Sequence, residues 1–212
     1  MTDTTPEVSS DGSPGAERSP SRWRFTPTDL ALVAAFAALI AALTYVGAVP
    51  VGGAGVPITL QTLAVMLAGC LLGPVRGAAA ALLYLAIGFA GLPVFAGHTG
   101  GPGVLSEPSV GYLLSFPFAA ALGGFLVAHV ARSARTRALP VFLCSIAASI
   151  LVIHPFGIVG LMVRLDLSFD EALKIDALYY VGDLLKTTVV ALVVAEVHRA
   201  FPQLLARRTA RR

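Results

Sequence analysis

Residues 30–47 read LALVAAFAALIAALTYVG, and the run continues as AVPVGGAGVPITLQTLAVMLAGCLLGPV to Val75 without one Asp, Glu, Lys or Arg. A soluble domain needs a wetted face on nearly every element, and a stretch this long with no charge offers none. The rest of the chain agrees. Of its 212 residues, 56% are hydrophobic and only 13% are charged, with a mean hydropathy of +0.80, whereas an ordinary soluble domain is roughly a quarter charged. Six helical spans of ~20 residues would use ~120 residues, close to that hydrophobic share. The expectation is therefore all-α: an integral membrane bundle of six transmembrane helices.

Residues 1–24 are polar and rich in Thr, Ser, Pro and Gly, and are expected to be a disordered tail. They open on acidic residues and lack a convincing cleavage site, so they do not read as a signal peptide. The membrane domain is expected over residues 25–201, followed by a basic tail at 202–212. Thr26-Pro27-Thr28-Asp29 is a helix start, with a capping side chain, Pro in the first turn and an early acid. From there the spans are expected at about Thr26–Gly47, Pro57–Leu72 (short for a bilayer), Ala78–Gly91, Ser109–Val130 with Pro117 as a kink, Ala138–Val163 and Ala172–Phe201. A Gly- and Pro-rich loop, Leu92–Pro108, carries His98, Thr99 and Glu107.

The basic residues set an orientation. With the N-terminus in the cytoplasm, Arg18, Arg22, Arg24, Arg76, Arg132, Arg135, Arg137, Arg199, Arg207, Arg208, Arg211 and Arg212 fall on one side, twelve of the fifteen Lys and Arg residues. Six spans with both termini cytoplasmic satisfy the positive-inside bias at each connection. Because these arginines mark membrane boundaries, the net charge of +3 does not point to nucleic acid. The loop Leu92–Pro108 then faces outward, suited to be a lid or wall of a binding site.

Ionisable groups at bilayer depth cost roughly 2.5–3.5 kcal/mol each and need a reason to be there. Asp176, Tyr179, Tyr180, Asp183 and Lys186 recur at helical spacing, which suggests a stripe facing a cavity for a polar solute. The alternative is an internal ion pair, Asp183 with Lys186, that only neutralises itself. Asp176 reads as an interfacial residue. Gln61, between Thr59 and Thr62, should face protein or ligand rather than lipid. His154 reads more readily as a packing residue bonded to a carbonyl than as a ligand contact, and Tyr84 and Tyr112 as cavity walls or interfacial aromatics. Small residues four apart on the first helix (Ala31 and Ala35, Ala34 and Ala38, Ala37 and Ala41) leave room for another helix to approach closely. Cys70 and Cys144 lie in apolar runs without a CxxC partner and suggest neither a zinc nor a redox site. There is no Walker A loop, GxSxG or HExxH, and no internal repeat.

Five motifs in order now carry a resemblance: Val56-Pro-Ile-Thr59-Leu-Gln61-Thr62-Leu, Leu72-Gly-Pro-Val-Arg76-Gly, Gly91-Leu-Pro-Val-Phe-Ala-Gly97, Pro108-Ser-Val-Gly-Tyr112 and Gly182-Asp183-Leu-Leu-Lys186. Together the chain resembles the BioY family, the biotin-binding substrate-specificity (S) components of energy-coupling factor (ECF) transporters. The resemblance implies a six-helix bundle in the bacterial cytoplasmic membrane that captures biotin from outside. It would work with a transmembrane coupling subunit and two cytoplasmic ATPases, as a transport component rather than an enzyme, with biotin as substrate and no cofactor. It implies that Asp183 and Lys186 bind biotin, that Thr99 stands where relatives often carry Asn, and that Ala31, Ala34, Ala35 and Ala38 face the coupling subunit. Gln61, Tyr112 and Tyr180 complete the expected biotin site. Two departures are Leu113, where some relatives have arginine, and Val110, which interrupts a common Gly-Gly-Tyr. An S component for another vitamin, a solitary biotin carrier, an intramembrane enzyme using Asp183 or His154, and a ligand-free structural subunit are the competing readings.

Overall fold

A computed structural model of the chain describes residues 25–46, 48–49, 53 and 55–201. The expected tails at 1–24 and 202–212 lie outside the described residues. Helix α1, Pro27–Val46, starts at the capping residues expected for it. Thr26 Oγ1 accepts from the Asp29 backbone N–H at 3.2 Å, and Asp29 Oδ2 accepts from that of Thr26 at 2.9 Å, a capping box with aspartate in the usual glutamate place. The buried Asp29 also pairs with Arg76 Nη2 at 2.5 Å, so the start of α1 is tied to the start of the helix that begins at Pro74.

After α1, two short strands, β1 (Ala48–Val49) and β2 (Ile58–Thr59), pair antiparallel with Ala48 opposite Thr59. Helix α2 is Gln61–Leu72 and helix α3 is Pro74–Phe89, separated by Gly73 alone. Gly73 adopts φ +85°, which L side chains avoid, and Pro74 supplies a ready-made first turn. Helix α4, Val110–His129, continues through Pro117 and packs against α2 and α3. The approach is close: a Cβ on Gly69 would strike the backbone of Ala120, and one on Gly124 the carbonyl oxygen of Gly69.

The next segment is helical from Ala138 to Leu165, as helices α5 (Ala138–Ala148) and α6 (His154–Leu165) joined by a π-turn at Ser149–Ile153. Pro155 in the first turn of α6 has no N–H to offer the preceding turn, and a widened turn absorbs the missing bond. The last expected span is two helices instead. Helix α7, Phe169–Ala177, is capped by Ser168 and Glu171, and helix α8, Tyr180–Ala200, follows at a 49° bend. The chain is pinned at that break because the Tyr179 hydroxyl donates to the Val56 carbonyl at 2.9 Å.

The described helices follow the expected order. Three are long and apolar enough to cross a membrane, α1, α4 and the α5–α6 segment, or four with α7 and α8 as one bent span. Helix α2, with 12 residues, rises only about 18 Å at 1.5 Å per residue and is too short to span the ~30 Å core by itself. The protein is an all-α, multi-pass membrane protein. Its interior consists of Leu, Val, Ile, Ala and Phe from α1–α5 and α8, while large apolar side chains such as Leu82, Phe118, Leu151 and Leu185 remain exposed on the outside. That arrangement suits a lipid solvent.

Candidate binding site

Polar residues buried at one end of this bundle surround a cavity that is partly open to solvent. Its walls come from distant parts of the chain. The segment Val56–Thr59 with Gln61 and Thr62 forms one side. Tyr112, Leu113 and Phe116 come from α4, Ile153 and His154 from the junction of the π-turn with α6, and Tyr179, Asp183 and Lys186 from the α7–α8 break and α8. The loop expected as a lid or wall contributes Phe95, Ala96 and Glu107.

That loop is anchored by its backbone. The Gly101 N–H donates to the Gly88 carbonyl at 2.7 Å, and Phe95 and Thr99 are bridged by a 3.0 Å hydrogen bond. Phe95 is buried edge-on against Tyr84 and Phe89, and its ring fills the space that a side chain on Gly88 would take. The loop is thus a packed wall.

The polar floor is one connected network. Lys186 Nζ lies 2.5 Å from Asp183 Oδ1 and donates to Thr62 Oγ1 at 2.7 Å. The Ser149 hydroxyl, from the π-turn, donates to Asp183 Oδ2 at 3.1 Å. His154 Nε2 faces the same oxygen at 3.4 Å, and its Nδ1 lies 2.8 Å from Asp176 Oδ2. The Tyr112 hydroxyl donates to Asp176 Oδ1 at 2.8 Å. Nearby, Gln61 Nε2 donates to the Tyr84 hydroxyl at 2.7 Å and Gln61 Oε1 accepts from Thr59 at 2.7 Å, while Tyr84 donates to the Val94 carbonyl at 3.0 Å. A smaller cavity lies beyond Thr62, Asp183 and Lys186, bordered by Met66, Ser149 and Val190. Among the described residues no three His, Cys, Asp or Glu side chains are grouped so as to hold a metal ion.

Of the residues singled out in the sequence, Asp183, Lys186, Gln61 and Tyr112 all line the cavity. Tyr180 does not; it lies stacked on the His154 ring at 4.1 Å and 11°. Thr99 also lies outside the lining, its hydroxyl spent on the Ala96 carbonyl at 3.1 Å. Asp176 corrects the interfacial reading, since it is fully buried and bonded to Tyr112 and His154. His154 corrects the carbonyl-bonded reading: its partners are two carboxylates. The helical spacing of Asp176 was visible, but the bend that turns it inward was not. Ala31, Ala34, Ala35 and Ala38 are all exposed on α1, whereas Ala37 is buried against the bundle.

The sequence profile of the BioY family matches residues 17–203. The chain belongs to the BioY family. The biotin transporter BioY of Rhizobium etli is 36% identical over 182 residues, covering 84% of this chain and 97% of that protein. The biotin transporter BioY of Rhodobacter capsulatus is 39% identical over 190 residues, covering 84% and 96%. The fold is similar to the 2.1 Å crystal structure of the S-component for biotin from an ECF-type ABC transporter. Its TM-score is 0.76 at 26% identity, covering 81% of this chain and 91% of that one. BioY proteins are transport components, and the fold of this member is the S-component fold.

Proposed function

We propose that this BioY protein captures biotin as the S component of an ECF-type transporter and delivers it across the cytoplasmic membrane of a bacterium. Family membership together with a mostly buried Asp183–Lys186 pair lining a cavity carries this reading. Biotin presents two ureido N–H donors, a ureido carbonyl, an apolar thioether ring and a carboxylate on a flexible chain. Asp183 is acceptor-only and takes a ureido N–H. Lys186 donates to the ureido oxygen or pairs with the carboxylate. Tyr112, Phe116, Leu113 and Phe95 cover the rings, and Gln61 keeps a second N–H for the ligand beyond the one given to Tyr84.

The transport partners in this proposal are a transmembrane coupling subunit and two cytoplasmic ATPases, with the exposed Ala31, Ala34, Ala35 and Ala38 as the coupling contact. Both termini lie in the cytoplasm, with α2 and α3 as a short pair within a six-span topology. The exposed small side chains support this contact because they let a partner helix come within backbone packing distance. Titration of radiolabelled biotin onto the purified protein in detergent tests the reading: saturable, tight binding is expected, and no binding would reject it.

A further inference from the structure

His154 stands in the cavity wall with a carboxylate on each side. It is 2% exposed. Its Nδ1 lies 2.8 Å from Asp176 Oδ2 and 3.0 Å from Oδ1, and its Nε2 lies 3.4 Å from Asp183 Oδ2. Ionised carboxylate oxygens only accept: Nδ1 is hydrogen-bonded to Asp176, and Nε2, which makes no hydrogen bond, faces Asp183 Oδ2 as a close contact that an N–H favours and a lone pair does not. A neutral imidazole has a single N–H and would turn a lone pair toward one of the two acids; the imidazolium serves both.

The surroundings agree. From α8, Lys186 pairs with Asp183, and from α4 the Tyr112 hydroxyl donates to Asp176. From the π-turn, Ser149 donates to Asp183. With an imidazolium, two cations balance two carboxylates; with a neutral ring, the network carries one uncompensated negative charge among apolar walls. The Tyr180 ring, stacked on His154 at 4.1 Å, fixes the imidazole plane and is favourable for a cation over its face.

We infer that His154 is a positioning residue for ligand binding: as an imidazolium held by Asp176, it orients the Asp183 carboxylate, and Asp176 governs affinity through it without lining the cavity. Asp176 has no exposed surface and is outside the cavity lining, so any effect it has on the ligand must pass through its neighbours. Asp183 Oδ2 accepts from Ser149 and faces the His154 ring at 3.4 Å, while Oδ1 pairs with Lys186, so the carboxylate meets a ureido N–H with neighbours on both of its oxygens. The inference rests on the reading that Asp183 contacts biotin.

The test uses the purified full chain in detergent, with radiolabelled biotin titrated onto His154→Gln, Asp176→Asn and the double variant. Nitrogen-15 NMR of histidine-labelled protein without ligand reads the ring directly. The expected result is about tenfold weaker binding for His154→Gln, several-fold weaker for Asp176→Asn, and a double variant no worse than the poorer single, as for residues acting in series. The NMR is expected to show one ring with both nitrogens protonated, lost in His154→Gln. Wild-type affinity in Asp176→Asn, additive losses in the double, or a singly protonated His154 ring would overturn the inference. The ring signals, assigned with His154→Gln, decide it even where Asp176→Asn does not fold. Absence of biotin binding in the wild type rejects the biotin reading instead, separately from the state of His154.

Discussion

Lys186 Nζ sits 2.5 Å from Asp183 Oδ1, one turn along the same helix, with both side chains mostly buried and both facing the cavity. A pair that only neutralised itself would gain little from being placed there, because desolvating two charges costs several kcal/mol. Its position makes sense when a ligand uses both groups.

Asp183→Asn and Lys186→Ala should therefore each weaken biotin binding by about tenfold or more, since each removes a charge-assisted hydrogen bond of about 1.5–3 kcal/mol. Lys186→Ala should also lower stability, because Asp183 keeps Ser149 and His154 but loses its closest cation. Biotin titration and thermal unfolding in detergent check both; full affinity in both variants would dismiss the site.

Gly88 sets the position of the loop wall. A side chain there overlaps the Phe95 ring, which lines the cavity. Gly88→Leu is expected to displace Phe95 and weaken biotin binding by about tenfold, a cost in the ~1–3 kcal/mol range of overpacking. Gly91→Ala, at a position with open space but φ +110°, should destabilise the loop with a smaller effect on affinity. Side-by-side biotin titrations separate the two.

On α1, Ala34→Leu and Ala38→Leu alter exposed positions. Biotin binding by the purified protein should be unchanged, while uptake by cells that also make the coupling module should fall by about tenfold as the added bulk holds the helices apart. Uptake at the wild-type level would place the coupling contact elsewhere.

At the opposite end from the loop wall, Arg76 pairs with the buried Asp29. Arg76 is 43% exposed on its side chain, so Arg76→Ala should cost only about 1 kcal/mol, or roughly 2–4 °C in Tm. Biotin affinity should not change, because neither residue lines the cavity. A large loss of affinity would show that the α1 tether shapes the site.

Membrane character, helix order and the Asp183–Lys186 pair were legible in the sequence because each rests on local chemistry. An uncharged run cannot face water, Thr26 and Asp29 cap whichever helix they begin, and residues three apart on a helix meet wherever that helix goes. The arginine distribution supported an orientation for the same reason. Motif order carried the family, which the profile match bears out.

Tertiary structure alone decided which polar residues meet. Asp176 looked interfacial until the 49° bend between α7 and α8 brought it inside, against Tyr112 and His154. Thr99 sits in the expected loop yet turns its hydroxyl to that loop's own backbone, and Phe95, which carried no polar signal, forms the wall. Tyr180 shares the spacing of Asp183 but backs His154 rather than the cavity. Spacing along the chain assigns a residue to a face of its own helix. Whether that face meets lipid, another helix or a cavity depends on bends, on a π-turn and on contacts between residues up to 127 positions apart, none of which is encoded in a local pattern.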